Sequence, residues 1–175
     1  MRWESLFADM ESQLVAARAQ ELRDEVAELT RAERAQVALT DRLRAARGDG
    51  LRLLLRDGQT VDGTALEVAP QWLLLAPDAF RRALVPTAAI AGVVGLGPQA
   101  APPAGTVERK LSLGHALRAL ARDRTVVRVD AQGAVVTGRV ARVGADHVDV
   151  APQDAAAGAQ AWTLPFGTLL VVRSS

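Results

Sequence analysis

The chain has 175 residues, enough for one ordinary domain or two very small ones. It contains no cysteine, which excludes disulfides and thiolate metal sites, and no apolar run approaches the roughly 20 residues that a membrane-spanning helix needs. Hydrophobic residues make up 49% and aromatic residues only 3%, so the core must be built from Val, Leu and Ala, while the net charge of +1 hides an acidic N-terminal part and a basic middle segment.

The first residues do not have the pattern of a secretion signal. Glu4, Asp9 and Glu11 place acidic groups where a signal peptide carries basic and apolar ones. Lys110 is the only lysine among 21 basic residues, and Ala, Val and Arg are abundant, as in proteins from high-GC genomes. We therefore expect a bacterial, cytoplasmic protein that does not associate with a membrane.

The N-terminal part, residues 1–48, is predicted to be a helical arm. No Pro or Gly occurs from Arg2 to Ala46, and good helix formers dominate. The pair Thr30 and Glu33 fits a capping box, so the arm is either one long helix or two helices that break near Thr30. One interpretation is that the arm packs on the chain's own barrels; the other is a partner-binding or coiled-coil face. A single helix of this length would extend about 70 Å, far beyond two small barrels, which favours the second. The residues that we expect to form that face recur at three- and four-residue steps: Trp3, Leu6, Phe7, Met10 and Leu14.

The rest of the chain contains one stretch twice, at 51–93 and 126–172. Most equivalent positions lie 75 residues apart, and after an insertion Pro86 is equivalent to Pro165. The clearest matches are Gly58 with Gly133, Gly63 with Gly138, Val68 with Val143, Leu75 with Val150 and Pro77 with Pro152.

Each copy has the pattern of five short strands that close into a small barrel. In the first copy we predict strands from Leu51 to Leu55, Val61 to Val68, Trp72 to Leu75, Ala83 to Val85 and Ile90 to Val94. The second copy has one mismatch, because Val127 and Val129 are one residue out of phase with Leu53 and Leu55 relative to the turn glycine. A bulge, or a longer turn in one copy, would restore the phase.

The segment Val85-Pro86-Thr87-Ala88-Ala89-Ile90-Ala91-Gly92-Val93 has the hydrophobic spacing of the second motif of the Sm-like (LSm) family, and 164–172 repeats it. A helix precedes the first strand of that family, as the sequence predicts here for 34–46 and 111–123. The chain therefore resembles two Sm-like barrels in tandem. The resemblance implies an α+β fold: the helical arm at 1–48, a first five-stranded barrel at 49–96, a Pro/Gly linker at 97–110 and a second barrel with its helix at 111–175.

The residues with which Sm-like proteins bind RNA are missing. The resemblance implies an Asp and an Asn in one loop, where this chain has 69–72 and 144–147, and an Arg-Gly or Lys-His pair in another, where it has 86–88 and 165–167. The nucleotide pocket is not carried over. Such folds often form rings through edge strands, whereas a tandem can also pair its two barrels internally, and the sequence leaves both open.

A basic segment lies in the second helix and just before it. One interpretation is a solvated face on a helix that caps the barrel; the other is a surface that contacts nucleic-acid phosphates in a sequence-independent way. No aromatic residue is interleaved to stack on bases. The residues are Arg109, Lys110, Arg118, Arg122 and Arg124.

The sequence gives little support for catalysis, and we expect no enzyme, no cofactor and no metal. Asp146 and His147 with Asp149 could suggest a general base or a pair of metal ligands, but strand alternation puts only His147 and Asp149 on one face, and no third ligand is evident. Trp72 and Trp162 are expected to pack in or between the barrels. We therefore expect a non-catalytic adaptor or regulator that associates with itself or a protein partner through its helical arm and its tandem small barrels. The alternative is an RNA- or DNA-associated regulator that uses the basic helix 109–124.

Overall fold

A computed structural model describes residues 2–153 and 160–174, with side chains at 10–106, 108, 110–153 and 160–174. Two short 3₁₀ turns, Thr87–Ala89 and Phe166–Thr168, each precede the last strand of a repeat. The helices are α1 (Arg2–Ala35), α2 (Leu39–Ala45), α3 (Thr106–Arg109) and α4 (Leu113–Asp123). The strands are β1 (Gly50–Leu55), β2 (Thr60–Ala69), β3 (Trp72–Ala76), β4 (Arg82–Pro86), β5 (Ile90–Val94), β6 (Val126–Ala131), β7 (Ala134–Val143), β8 (His147–Pro152), β9 (Trp162–Pro165) and β10 (Leu169–Ser174).

The chain divides into two compact units, Met1–Ala38 and Leu39–Ser175. Within the first unit, α1 runs through Thr30, whose hydroxyl donates to the carbonyl oxygen of Val26 at 2.7 Å. The capping box expected at Thr30 and Glu33 is therefore wrong, because the hydroxyl bonds back into the helix instead of capping a new one. The helix ends at Ala35, and the next one begins at Leu39.

The second unit contains one ten-stranded antiparallel sheet in the order β5-β1-β2-β3-β4-β10-β6-β7-β8-β9. Each repeat supplies five consecutive strands in the same internal order, and the pairing of β4 with β10 joins the two blocks. This confirms the α+β class and all five strands predicted for the first repeat. The expected closure of each barrel is not seen among the described strands, where neither β5 with β4 nor β10 with β9 forms a pair.

The first hairpin of each repeat explains the difference in phase between the two copies. In the first repeat the Leu55 amide donates to the Gln59 carbonyl at 2.8 Å, which leaves the three-residue turn 56–58. In the second, Ala131 pairs with Ala134 across the two-residue turn 132–133. Of the bulge and the longer turn that the sequence left open, the structure has the longer turn, in the first repeat. Both turns place a glycine at positive φ, 87° at Gly58 and 81° at Gly133.

The hydrophobic core consists of two clusters, and each takes side chains from both repeats. The first cluster is formed by the first repeat together with Leu43 of α2, Ala46 just after it, and Leu170 and Val171 of β10. The second is formed by α4 and β6–β10 together with Ala69, Trp72 and Leu84 of the first repeat. Because each repeat completes the core of the other, the two repeats are packed as one body.

The segment between the repeats is held against α2. The Arg42 guanidinium donates to the Gly97 carbonyl oxygen at 2.8 Å, and the Ala101 amide donates to the Asp41 carbonyl oxygen at 2.9 Å. Arg44 also forms an ion pair with Glu108 at 3.1 Å. The Pro/Gly segment is thus fixed by hydrogen bonds along its length as well as by its prolines.

Candidate interaction surfaces

The first candidate surface is the apolar face of α1. The side chains of Trp3, Leu6 and Phe7 lie outside the described residues. Met10 and Leu14 are each 52% exposed, and the same helix continues with four more large apolar side chains that are at least 60% exposed: Val15, Leu22, Val26 and Leu29. Val15, Leu22 and Leu29 are seven residues apart, with Ala19 and Val26 between them, which is the spacing of a coiled-coil seam.

The polar side of α1 is stabilised by local pairs. Arg31 contacts Glu28 at 2.7 Å, and the Gln20 amide donates to Asp24 at 3.0 Å. Such pairs contribute about 0.2–0.5 kcal/mol each to an isolated helix, far less than burial of an apolar face. The helix therefore exposes an apolar stripe, and its charged and polar side-chain pairs stabilise it only weakly.

The second candidate surface is the basic face of α4. The side chain of Arg109 lies outside the described residues, whereas Lys110, Arg118, Arg122 and Arg124 are exposed. Arg118 and Arg122 are one helical turn apart on the side away from the buried Leu113 and Leu117. None of these four described basic side chains forms a salt bridge with another described residue.

The helix α4 begins and ends with well-formed caps. The Ser112 hydroxyl accepts from the His115 amide at 3.2 Å, and Arg124 adopts a left-handed conformation with φ 51° at the C-terminal end. The Ser112 hydroxyl is therefore used locally for helix capping, together with the backbone amide of His115. The last-turn Arg122 also lies where a positive charge interacts favourably with the helix dipole.

The Asp146, His147 and Asp149 group does not converge on one point. His147 Nδ1 is 2.9 Å from Asp146, and this hydrogen bond lowers the pKa of the Asp146 carboxyl below its ordinary value. Asp149 instead accepts from the Thr163 hydroxyl at 2.7 Å on the neighbouring strand. In the described part of the chain, no three His, Asp or Glu residues are grouped closely enough to hold a metal ion.

A buried carboxylate in the second repeat is not anticipated by the sequence pattern. Asp130 is 1% exposed and is bound by the guanidinium groups of Arg128, at 2.8 Å, and of Arg173. Arg173 lies on β10, which pairs with β6. The arrangement satisfies a buried charge and connects two strands, which gives Asp130 a structural function.

A loop between β3 and β4 exposes an aromatic side chain. Asp78 accepts from the backbone amides of Arg81, at 2.8 Å, and Phe80, at 2.9 Å, and these bonds lower the pKa of the Asp78 carboxyl to about 2. The Arg81 side chain adds an ion pair at 2.6 Å. Phe80 at the tip is 88% exposed. The carboxylate thus fixes the loop that presents Phe80.

The two tryptophans of the repeats differ in environment. Trp72 is 8% exposed and donates from its indole nitrogen to the Leu111 carbonyl oxygen at 3.0 Å, so its predicted packing between the repeats is confirmed. Trp162 on β9 is 53% exposed. The prediction that it packs within the chain is therefore wrong, because β9 is the last strand of the sheet and no described strand covers it.

No protein-family model matches this chain, and neither the curated proteins nor the solved structures include a significantly similar one. None of the described helices has both the length and the apolar character needed to cross a membrane.

Proposed function

We propose that this protein is a non-catalytic, cytoplasmic adaptor or regulator that associates through α1, with a second copy of itself or with a helical segment of a partner protein. We further propose that its body consists of two Sm-like repeats fused in one chain. The common strand order of the two blocks supports this second point, as does the glycine at the same bend in each.

The observation that carries the first proposal is the exposed stripe of α1. The helix has 34 residues, and would extend about 50 Å. Large apolar side chains recur along it and remain more than half exposed from Met10 to Leu29. Most helices in proteins are stabilised by packing of such a face. A second helix packed along the seam of Val15, Leu22 and Leu29 would remove that surface from water.

The test is to replace Leu22 by glutamate in the full chain and measure its mass by light scattering. Burial of one leucine side chain contributes about 1.5–3 kcal/mol, and a charge at the seam adds a desolvation cost, so association should weaken by about 100-fold or more. Ala27→Glu is the matched control, since Ala27 lies on the opposite side of α1, between Arg23 and Arg31. An unchanged mass for Leu22→Glu, or equal effects of the two variants, would contradict self-association through α1.

The alternative function is nucleic-acid association through α4. It is favoured by Arg118 and Arg122, which are exposed and form no salt bridge with another described residue. Replacing both by alanine should weaken binding equally for unrelated sequences and reduce the salt dependence by about two phosphate contacts. Arg52→Ala is the control, because Arg52 is also exposed but is engaged by Asp62 at 2.6 Å. Binding to a random duplex, titrated at several salt concentrations, measures the effect; absence of any salt-sensitive binding would eliminate this alternative.

A further inference from the structure

The exposed seam of α1 can be assigned to coiled-coil positions residue by residue. Val15, Leu22 and Leu29 occupy the d positions of successive heptads, and Ala19 and Val26 occupy the a positions between them. The four large side chains are all at least 60% exposed. The seam thus has one small residue, at Ala19, and a second helix must fill the space that this alanine leaves.

The residues that flank the seam carry a distinctive charge pattern. The g positions, directly before the a residues, hold Arg18 and Glu25, and the e position after Leu22 holds Arg23. Arg18 and Glu25 are exposed and form no salt bridge with another described residue. Arg23 donates to the Gln20 side-chain oxygen at 3.1 Å. Charges at e and g positions determine the partner and the direction of a coiled coil.

A parallel pair of two α1 helices is opposed by both packing and charge. Identical positions face each other in such a pair, so Ala19 would meet Ala19 and leave that core layer underfilled. The g residue of one helix contacts the following e residue of the other, which places Arg18 against Arg23 on both sides of the pair. Glu25 would face Thr30, so no attractive pair compensates for this repulsion along the seam.

An antiparallel pair with Val15 opposite Val26 of a second copy removes both problems. Leu22 of each helix then packs against Ala19 of the other, so that a large side chain fills the space beside a small one. In an antiparallel pair the g positions contact each other, which brings Arg18 of each copy next to Glu25 of the other. A shift by one heptad in either direction would instead pair Glu25 with Glu25, or Arg18 with Arg18.

We propose that α1 of one copy pairs antiparallel with α1 of a second copy, with Val15 against Val26 and Arg18 against Glu25. The contact is isologous, since each copy contributes the same surface and both charge pairs occur twice. This inference rests on the self-association proposed for α1, and adds to it the identity of the partner, the direction of the helices and their register.

The direction of pairing determines where the two chains continue. The helix ends at Ala35, and in the antiparallel register the two Ala35 residues lie about 40 Å apart along the helix axis. Each copy therefore continues into its unit Leu39–Ser175 from its own end of the pair. Such a dimer suits an adaptor that connects two separate sites.

Cysteine cross-linking of the full chain tests the direction and the register, because the chain has no native cysteine. Val15 and Val26 are 11 residues apart, or about 16 Å along the helix axis, which no disulfide spans. Val15→Cys and Val26→Cys are mixed under reducing conditions, so that subunits exchange, and are then mildly oxidised. The mixture should give a disulfide-linked dimer that neither variant forms alone.

Ala27→Cys is the control for random collision, since Ala27 is adjacent to Val26 in sequence but lies away from the seam. Its cross-linking with Val15→Cys gives the background. A 15/26 product no more abundant than the 15/27 product would overturn the proposal. Efficient dimers from Val15→Cys alone and from Val26→Cys alone would also overturn it, because identical positions face each other only in a parallel pair. Circular dichroism of each variant verifies the fold.

Arg18→Glu tests the direction independently, because its effect has opposite signs in the two arrangements. In the antiparallel pair it places two carboxylates together twice, so dimerisation should weaken by about 3- to 30-fold at low salt. In a parallel pair the new carboxylate would face Arg23 and strengthen dimerisation. Arg18→Glu combined with Glu25→Arg restores both pairs and should recover most of the lost affinity. Sedimentation equilibrium measures these affinities; a tighter Arg18→Glu dimer, or no recovery in the double variant, would contradict the antiparallel register.

The mass of Leu22→Glu separates failure of this inference from failure of the proposed function. If Leu22→Glu dissociates the protein while the cross-links follow the parallel pattern, self-association through α1 stands and the antiparallel register is wrong. If the unsubstituted chain is monomeric at every concentration tested, both self-association through α1 and the pair proposed here are overturned.

Discussion

Replacing Trp72 by alanine should destabilise both repeats together, by about 3–5 kcal/mol, which is typical for removal of a buried tryptophan. Trp72 belongs to the first repeat by sequence but packs in the second core cluster, with α4 and β6. Hydrogen exchange measured by mass spectrometry across a urea titration should show that protection of β1–β3 and of β6–β8 is lost in one transition. Because natural domains are stable by only about 5–15 kcal/mol, the midpoint should fall markedly.

Trp72→Phe separates the packing of this side chain from its hydrogen bond. Phenylalanine keeps an aromatic ring but removes the indole donor that binds the Leu111 carbonyl oxygen at 3.0 Å. The expected loss is smaller, about 1–2 kcal/mol, including the cost of an unsatisfied carbonyl group. Two separate transitions, with β6–β8 unaffected by Trp72→Ala, would show that the repeats fold as independent domains.

Local sequence patterns predicted the elements of this chain well. Helix formers without Pro or Gly predicted α1, and alternating apolar residues with turn glycines predicted the strands of both repeats. The Thr30 capping box failed because a threonine three residues before a glutamate also occurs inside helices, where the hydroxyl can bond to the carbonyl four residues earlier. The actual end of α1 at Ala35 is followed by no Pro or Gly that could mark it in the sequence.

The local sequence pattern could not predict the contacts between distant parts of the chain. Asp130 lies two residues after Arg128 on the same strand, a spacing typical of a solvated face. Its burial is explained only by the contact with Arg173, which lies 43 residues further along the chain. Trp72 and Trp162 are the same residue type in related strands, yet one is buried and the other exposed. Their difference depends on which strand lies alongside, a property of sheet topology that no local spacing encodes.

The candidate surfaces also divide into those that local spacing predicts and those that depend on strand order. Periodicity alone identified the apolar face of α1, since it needs only the helical repeat of Met10 and Leu14. The composition of α4 identified Arg118 and Arg122, which the helix indeed exposes on one side. The exposed edges β5 and β9 could be recognised only once β4 was seen to pair with β10, because the sequence allowed every edge to be satisfied internally.

Gly138→Ala should be among the most destabilising substitutions in the chain that add a single methyl group. A Cβ atom at Gly138 would overlap the backbone of Ala151, and at the equivalent Gly63 it would lie 2.8 Å from the backbone carbonyl of Ala76. In both repeats the obstacle is the neighbouring strand itself, so relief requires separation of β7 from β8, or of β2 from β3. Overpacking of this kind costs about 1–3 kcal/mol, and backbone obstacles favour the upper end of that range or more.

Gly167→Ala is the control that makes this prediction decisive. A Cβ atom added at Gly167 would meet no other atom within 4 Å, and the residue has no positive φ, so alanine there should change the free energy of unfolding by less than about 0.5 kcal/mol. Urea denaturation of the three variants should rank them with Gly138→Ala and Gly63→Ala both far below Gly167→Ala. Similar losses at the two bend glycines would mean that both repeats need the same close strand crossing, as their shared sequence pattern requires. A neutral Gly138→Ala would show instead that β7 and β8 can separate at little cost, and that the bend in the second repeat is not fixed by the absence of a side chain.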